Sequence, residues 1–233
     1  MFKVSEIITT PPEEFSSELQ RKVYETFEAL GIPFERVDTD PGITMEDCHF
    51  IVDDTDTVAI GGEISVAGTF VGKCSSGVTL KRCSNNGHVR VARSLYSAIG
   101  GAGGFVGIAT TSSGSPTITD SANFGTVDAT VNYPAGGCIG DVGTAESDFA
   151  LTLRSCFNYG AVSSPVAAGG LVGSFRGMKN KLTNDGNSGA IASYAGFAGG
   201  LVGRVLCVGD NKSFGFRNVL QAGAVTTGSG LAG

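Results

Sequence analysis

The sequence predicts a mainly β protein: a β-solenoid of about five coils with a small α/β segment as its amino-terminal cap. Three observations predict this fold. A glycine-rich pentad recurs with starts at residues 68, 103, 136, 169, 199 and 229, so successive copies lie 30 to 35 residues apart. A second motif recurs in phase with the pentad, and 34 of the 36 glycines lie after residue 56. A repeat of this length is typical of one supersecondary unit that stacks on the next.

The pentad is best preserved as Gly-Gly-Leu-Val-Gly at residues 169–173 and 199–203. Looser copies occupy residues 68–72, 103–107, 136–140 and 229–233. Alternation of apolar and small residues over three or four positions is the period of a short strand. Stacked coils are therefore expected to place Leu171 against Leu201, so that aliphatic rows run along the solenoid axis.

The second motif begins with Leu or Ile, continues with a small residue such as Cys or Ser, and ends with Asn, Gly and Val at alternate positions. Its copies span residues 80–89, 118–127, 153–162, 182–191 and 216–225. The position two before the glycine carries Asn85, Asn123, Asn158, Asn187 and finally Gln221. At a strand spacing of about 4.8 Å these amides are expected to form a ladder, which is a structural role. A truncated earlier copy is suggested at residues 62–64.

From about residue 60 onward, these pentads resemble the GLUG-motif repeats of bacterial surface and secreted proteins. The resemblance covers about three quarters of the chain. It implies that the repeats act as a stalk, a spacer or an adhesive surface, and no catalytic residues come with the motif. We therefore expect a non-enzymatic structural or adhesive module with no cofactor.

Charge and glycine content predict a boundary near residues 50–58. Residues 1–56 hold 14 acidic and 4 basic residues, whereas residues 57–233 hold 8 acidic and 12 basic ones. Only two of the glycines precede residue 57. We therefore predict a small α/β segment over residues 1–56 and glycine-rich solenoid repeats over residues 57–233.

The amino-terminal segment begins with the clearest helix signal in the chain, over residues 10–31. Thr10 and Glu13 form a capping box, and the apolar residues that follow recur at helical spacing. Residues 34–37 are predicted to form a short strand, and residues 44–47 the capped start of a second helix. So small a segment buries too little surface to be stable alone, so we expect it to cover the first coil.

Residues 14–48, and especially 29–38 and 43–48, resemble the amino-terminal part of YbaK-type prolyl-tRNA editing proteins. The family hydrolyses misacylated tRNA for proline, with a pocket and a lysine in the sheet that follows. Here the repeat begins instead, so the pattern of the catalytic core is missing. This leaves two alternative hypotheses: a protein related to editing deacylases, and a join of two unrelated pieces with no evolved function.

The six cysteines, at positions 48, 74, 83, 138, 156 and 207, contain no Cys-x-x-Cys pair. We interpret them as buried free thiols, and Cys74 with Cys83 is the only local disulfide candidate. His49 and His88 are too few for a zinc site without cysteine ligands, so no metal is predicted.

Two sets of residues are candidates for binding. The basic residues around the second coil, candidates for an anionic polymer, are Lys73, Lys81, Arg82, Arg90 and Arg93. Phe124 and Tyr159, beside the asparagine series, either pack at a corner or stack outward as a carbohydrate-binding strip. The partner classes left open are a glycan, a protein at a surface and end-to-end self-association, whereas nucleic acid is not favoured.

The opening residues lack the basic start and apolar run of a secretory signal peptide. No apolar stretch reaches about 18 residues, so no membrane span is predicted. Because the repeat family is usually surface-exposed or secreted, two alternatives stay open: the chain as written is cytoplasmic, or its native leader has been lost or replaced.

Overall fold

The computed structural model of the chain describes residues 42–51, 59–60, 66–92, 100–113, 115–143, 150–176, 179–206 and 213–228, together with Glu25. These residues contain 27 strands, numbered β1 to β27 along the chain, and Glu25 is helical. The chain divides into two compact units, Met1–Ile43 and Thr44–Gly233. The predicted helix at residues 10–31 lies outside the described residues except for Glu25, and the predicted strand at 34–37 lies wholly outside them.

The strands of the second unit form five parallel stacks, which we name stack 1 to stack 5 in the order in which each turn passes through them. Stack 1 contains β1 (Gly42–Glu46), β5 (Val71–Lys81), β10 (Thr117–Thr119), β15 (Ala150–Arg154), β20 (Lys179–Thr183) and β25 (Ser213–Arg217). Stack 2 contains β2 (His49–Phe50), β6 (Ser84–Asn85), β11 (Ala122–Asn123), β16 (Phe157–Asn158), β21 (Gly186–Asn187) and β26 (Leu220–Gln221). Stack 3 contains β3 (Ala59–Ile60), β7 (His88–Val91), β12 (Val127–Ala129), β17 (Val162–Ser164), β22 (Ile191–Ser193) and β27 (Val225–Thr227).

Stacks 4 and 5 complete each turn. Stack 4 contains β4 (Val66–Gly68), β8 (Gly101–Gly103), β13 (Ala135–Gly136), β18 (Ala167–Gly169) and β23 (Phe197–Gly199). Stack 5 contains β9 (Val106–Ser113), β14 (Ile139–Val142), β19 (Val172–Phe175) and β24 (Val202–Val205), and it begins with the first half of the long strand β5. The described strands make about four full turns with less complete turns at both ends, which confirms the predicted β-solenoid.

Apolar rows fill the interior because each strand pairs in register with its counterpart one turn away. In stack 1, Ile118 is opposite Leu80 on one side and Leu153 on the other, and all three are fully buried. The backbone N–H of Leu171 donates to the carbonyl of Leu201 at 2.8 Å, which is the predicted stacking of the two pentads. The valine row of stack 3 and the alanine row of stack 4 pack together as one core.

The two sequence motifs are in phase because the second glycine of the pentad packs against the asparagine of the other motif. A Cβ on Gly137 would lie 2.4 Å from Cγ of Asn158 and 2.1 Å from the carbonyl oxygen of Gly170. Gly104 and Gly170 face Asn123 and Asn187 in the same way. No side chain fits in these gaps, so the pentad glycine and the asparagine belong to one packing unit.

The corner between stacks 1 and 2 is formed by residues with left-handed backbone but no glycine. The corner residues, whose φ angles lie between 52° and 58°, are Asp47, Arg82, Asp120, Ser155, Asn184 and Asn218. Asp and Asn tolerate this conformation better than most residues, and they hold four of the six corners. The corner turns the following residue, such as Cys83 or Cys156, into the protein interior.

The prediction of a helix start at residues 44–47 is wrong. Residues Gly42–Glu46 form strand β1, which pairs with β5, and Asp47 occupies the first of the left-handed corners. The side chains of Glu46 and Asp47 bind Lys81 and Arg82 on the next turn. Pairing between turns has therefore overridden the local capping signal.

The solenoid begins earlier than its predicted boundary at residues 50–58. Strand β2 already pairs with β6, with His49 opposite Ser84 and Phe50 opposite Asn85. Strand β3 then places Ile60 opposite Val89. This first turn therefore takes the position of an earlier copy of the second motif, whereas residues 62–64, suggested for such a copy, lie outside the described part of the chain.

Candidate functional site

The predicted asparagine residues form a continuous ladder inside stack 2. Nδ2 of Asn85, Asn123 and Asn158 each donates to Oδ1 of the next asparagine at 2.7 Å, and Asn187 donates to Oε1 of Gln221 at 2.9 Å. Each of the four Nδ2 atoms also donates to the carbonyl of the glycine two residues later. Both amide protons of every asparagine are used within the protein, so the ladder has no donor left for a ligand.

The structure describes four of the five basic candidates, and these four lie in different stacks or are paired with acids. Nζ of Lys81 lies 2.8 Å from Oε1 of Glu46, and Nε of Arg82 lies 2.6 Å from Oδ1 of Asp47. Hydrogen bonds from Lys81 and Arg82 lower the pKa of Glu46, and the Arg82 hydrogen bond lowers that of Asp47. This pair of bases is therefore neutralised by acids of the preceding turn and is a poor anion site.

The other three bases lie elsewhere. Nε of Arg90 is 3.5 Å from Oδ2 of Asp128 in stack 3. Lys73 is exposed in stack 5, opposite Ile108, and Arg93 lies outside the described residues. The structure therefore provides no joint surface for an anionic polymer among the four described bases.

Phe124 and Tyr159 stack outward on the surface of stack 2. Their ring centroids are 5.0 Å apart, the ring planes differ by 5°, and the side chains are 53% and 50% exposed. Phe157 lies beside them, with its ring 6.3 Å from that of Tyr159. The row that contains the pair, which we call the outer row of stack 2, consists of Asn86, Phe124, Tyr159, Ser188 and Ala222, all exposed.

The five described cysteines are free thiols, and Cys207 lies outside the described residues. Cys74, Cys83, Cys138 and Cys156 are buried, as small apolar residues are. Burial raises the pKa of Cys74 to about 11 and raises those of the other three as well. Buried thiols with raised pKa values are weak nucleophiles, which does not favour a catalytic role.

His49 lies in stack 2 and His88 lies in stack 3. Nδ1 of His49 lies 2.8 Å from Oγ of Ser84, and His88 is partly buried in strand β7. Within the described ranges, no group of three or more His, Cys, Asp and Glu side chains is arranged to hold a metal ion.

Sequence reasoning missed two buried charged positions. Asp185 lies inside the corner of stack 2, where Oδ1 accepts a hydrogen bond from the backbone N–H of Cys156 at 2.8 Å. Asp141 is buried in stack 5, with its Oδ2 3.6 Å from Nη2 of Arg176, and burial raises its pKa. Asp141 and Arg204 each follow directly after a pentad and align with buried Ser174. An alignment of the pentad copies therefore shows charged residues at this position.

We expect Asp185→Asn to flatten the pH dependence of stability. Burial raises the pKa of Asp185 to about 6 from 3.8, so the folded state binds the proton more tightly than the unfolded state. The resulting stabilisation is fully present below about pH 4 and is lost as the pH rises through about 6. The difference in pKa sets an upper limit of about 3 kcal/mol, which solvent screening reduces. Urea unfolding at mildly acidic and at neutral pH measures it.

Asp120→Asn is the matched control, because Asp120 is an exposed corner residue whose conformation asparagine also adopts. This variant should keep the pH profile of the original chain. An Asp185→Asn protein that still loses stability between acidic and neutral pH would show that another group is responsible.

The comparisons with known proteins found no relative of the chain. No family model, curated protein or solved structure matches the chain. Among the residues that the structure describes, no helix has the length and apolar character needed to cross a membrane. The two family resemblances and the editing-deacylase and fused-pieces hypotheses therefore stay predictions.

Proposed function

We propose that this chain is a non-enzymatic structural and adhesive module of a bacterial surface-type protein, with the outer row of stack 2 as its contact surface. The observation that supports this proposal most strongly is the Phe124–Tyr159 pair. Both rings are about half exposed, and the asparagine ladder fills the interior beside them. Exposed aromatic side chains on a rigid surface are typical of recognition sites.

The rigidity of this surface comes from the ladder beneath it. The backbone N–H of Phe124 donates to the carbonyl of Asn85 at 2.7 Å, and that of Tyr159 to the carbonyl of Asn123 at 2.8 Å. Each aromatic residue is therefore held next to a fully buried asparagine. A ligand that binds here does not have to order the site, which lowers the entropic cost of binding.

The ligand class that fits this surface best is a glycan. The two rings are parallel and stacked, and about half of each side chain is exposed to a ligand. The neighbours of the pair in the outer row are the small polar residues Asn86 and Ser188. A sugar ring has an apolar C–H face for an aromatic face and hydroxyl groups for such polar neighbours.

The expected result is that a Phe124→Ala/Tyr159→Ala double variant loses glycan binding by about tenfold or more, as expected for aromatic residues at the centre of an interface. Binding is measured on a glycan array and by sedimentation with insoluble chitin and cellulose. Tyr194→Ala is the matched control, because Tyr194 is a similarly exposed aromatic residue that lies outside stack 2.

Two results would contradict the glycan proposal. One is an original chain that binds no glycan on the array or in sedimentation. The other is a double variant that binds as well as the Tyr194→Ala control. End-to-end self-association, which the sequence left open, stays a prediction.

A further inference from the structure

Two cysteines lie opposite each other where the first turn meets the second. Cys48 and Cys83 occupy the same repeat position, immediately after the left-handed corners at Asp47 and Arg82. The backbone N–H of Ser84 donates to the Cys48 carbonyl at 2.9 Å, which holds the two strands in register. Neighbouring parallel strands lie about 4.8 Å apart, within the Cα separation of roughly 4.4–6.8 Å that a disulfide spans.

The two thiols have the same orientation. Cys48 Sγ donates to the carbonyl two residues earlier, that of Glu46, at 3.5 Å, and Cys83 Sγ does the same to Lys81 at 3.4 Å. Cys83 Sγ also lies 3.7 Å from the carbonyl oxygen of Met45, on the first turn. Both thiols are free; Cys48 is partly exposed, and Cys83 is buried behind it.

Between later turns, the repeat position of Cys48 and Cys83 makes a hydrogen bond to a polar side chain. The backbone N–H of Cys83 donates to Oγ of Ser121 at 3.1 Å, and that of Cys156 donates to Oδ1 of Asp185 at 2.8 Å. In both cases a polar side chain accepts a hydrogen bond from the preceding turn. At the first junction the corresponding side chain is the thiol of Cys83, which is a weak acceptor.

We propose that Cys48 and Cys83 form a disulfide that joins the first turn of the solenoid to the second when the protein meets a disulfide oxidant such as oxidised glutathione. The ion pairs of Glu46 and Asp47 with Lys81 and Arg82 connect the same two turns. They hold the two cysteines side by side while the sulfurs react.

The reaction proceeds by two thiol–disulfide exchanges. The Cys48 thiolate, which solvent reaches, attacks one sulfur of the oxidant, breaks its S–S bond and releases one small thiol. The Cys83 thiolate then attacks Cys48 Sγ in the mixed disulfide and releases the second small thiol. The two cysteines lose two electrons and two protons, and the oxidant is reduced to two thiols. Burial raises the pKa of Cys83, so the second exchange accelerates as the pH rises.

Peptide mapping of the full chain tests this directly. The protein is incubated with oxidised glutathione at mildly alkaline pH, denatured in iodoacetamide and digested with trypsin without reduction. The lysine and arginine positions place Cys48, Cys74 and Cys83 on three separate tryptic peptides, residues 37–73, 74–81 and 83–90. We expect peptide 37–73 linked to peptide 83–90, and an intact mass lower by two hydrogen atoms. Both changes should reverse on reduction.

Two variants serve as controls. Cys74→Ser is expected to form the link as completely as the original chain, because Cys74 lies in stack 5. Cys83→Ser is expected to stop at the glutathione mixed disulfide on Cys48. Thermal unfolding gives a second readout: the oxidised original chain should melt several degrees above the reduced chain, whereas Cys83→Ser should show no such increase.

Three results would overturn the proposal. The first is a link between peptides 74–81 and 83–90, which is the pairing that sequence spacing suggests. The second is a glutathione adduct on Cys48 that persists in the original chain although Cys83 is present. The third is a folded original chain in which both thiols remain free after oxidation.

Discussion

Replacing Asn158 with leucine is expected to lower the free energy of unfolding by about 3–5 kcal/mol. Asn158 is fully buried; it accepts from Asn123 and donates to Asn187 and to the Gly160 carbonyl. Leucine has a similar volume but no polar atoms, so a donor of Asn123 and an acceptor of Asn187 lose their partners. Each buried polar group left unpaired costs about 1–3 kcal/mol. Urea unfolding followed by circular dichroism measures the loss.

Gln221→Leu is the control for this prediction. Gln221 accepts a hydrogen bond at the end of the same ladder, but its side chain is exposed, so water can replace the lost bonds. Gln221→Leu should lower the free energy of unfolding by less than about 1 kcal/mol. Equal losses in the two variants would mean that the ladder does not supply the stability assigned to it.

Gly137→Ala is expected to destabilise the solenoid by about 3 kcal/mol or more, because overpacked sites with no room to relax cost this much. The new Cβ would lie 2.1 Å from the Gly170 carbonyl oxygen and 2.4 Å from Cγ of Asn158. The first of these atoms belongs to the main chain of the next turn. Relief of the clash therefore requires two stacked turns to separate, which weakens the ladder between Asn123 and Asn158.

Gly72→Ala is the matched control, because Gly72 belongs to the first pentad but has no atom within 4 Å of the position of a Cβ. Alanine at such a site should leave stability unchanged or raise it by about 0.4–1 kcal/mol. If Gly137→Ala unfolds at the same urea concentration as Gly72→Ala, the close contact between pentad and ladder is not present in solution.

The repeat architecture could be predicted from the sequence because its packing constraints recur at fixed spacing. A pentad glycine such as Gly137 has no room for a side chain, and an asparagine such as Asn158 must meet another amide one turn away. Both requirements restrict residue type at every turn, so they appear as two motifs in phase. The same spacing predicted the neighbouring positions of Leu171 and Leu201.

The first turn could not be predicted because its side chains depart from the pattern. Phe50 takes the position of the asparagine, so the motif copy that contains Cys48 was not visible. Without this turn, the sequence does not reveal the acidic partners of Lys81 and Arg82, so the two bases count among the candidates for an anionic polymer.

The most direct test of the central claim, a parallel solenoid held in register by a buried amide ladder, is hydrogen exchange of the side-chain amides by nuclear magnetic resonance. Amide protons of Asn123 and Asn158 should exchange as slowly as the backbone N–H groups of stack 2, because both groups open only when the turns separate. The exposed side chain of Asn132 provides the fast reference. Exchange of Asn123 and Asn158 at the rate of Asn132 would contradict the ladder and the register that depends on it.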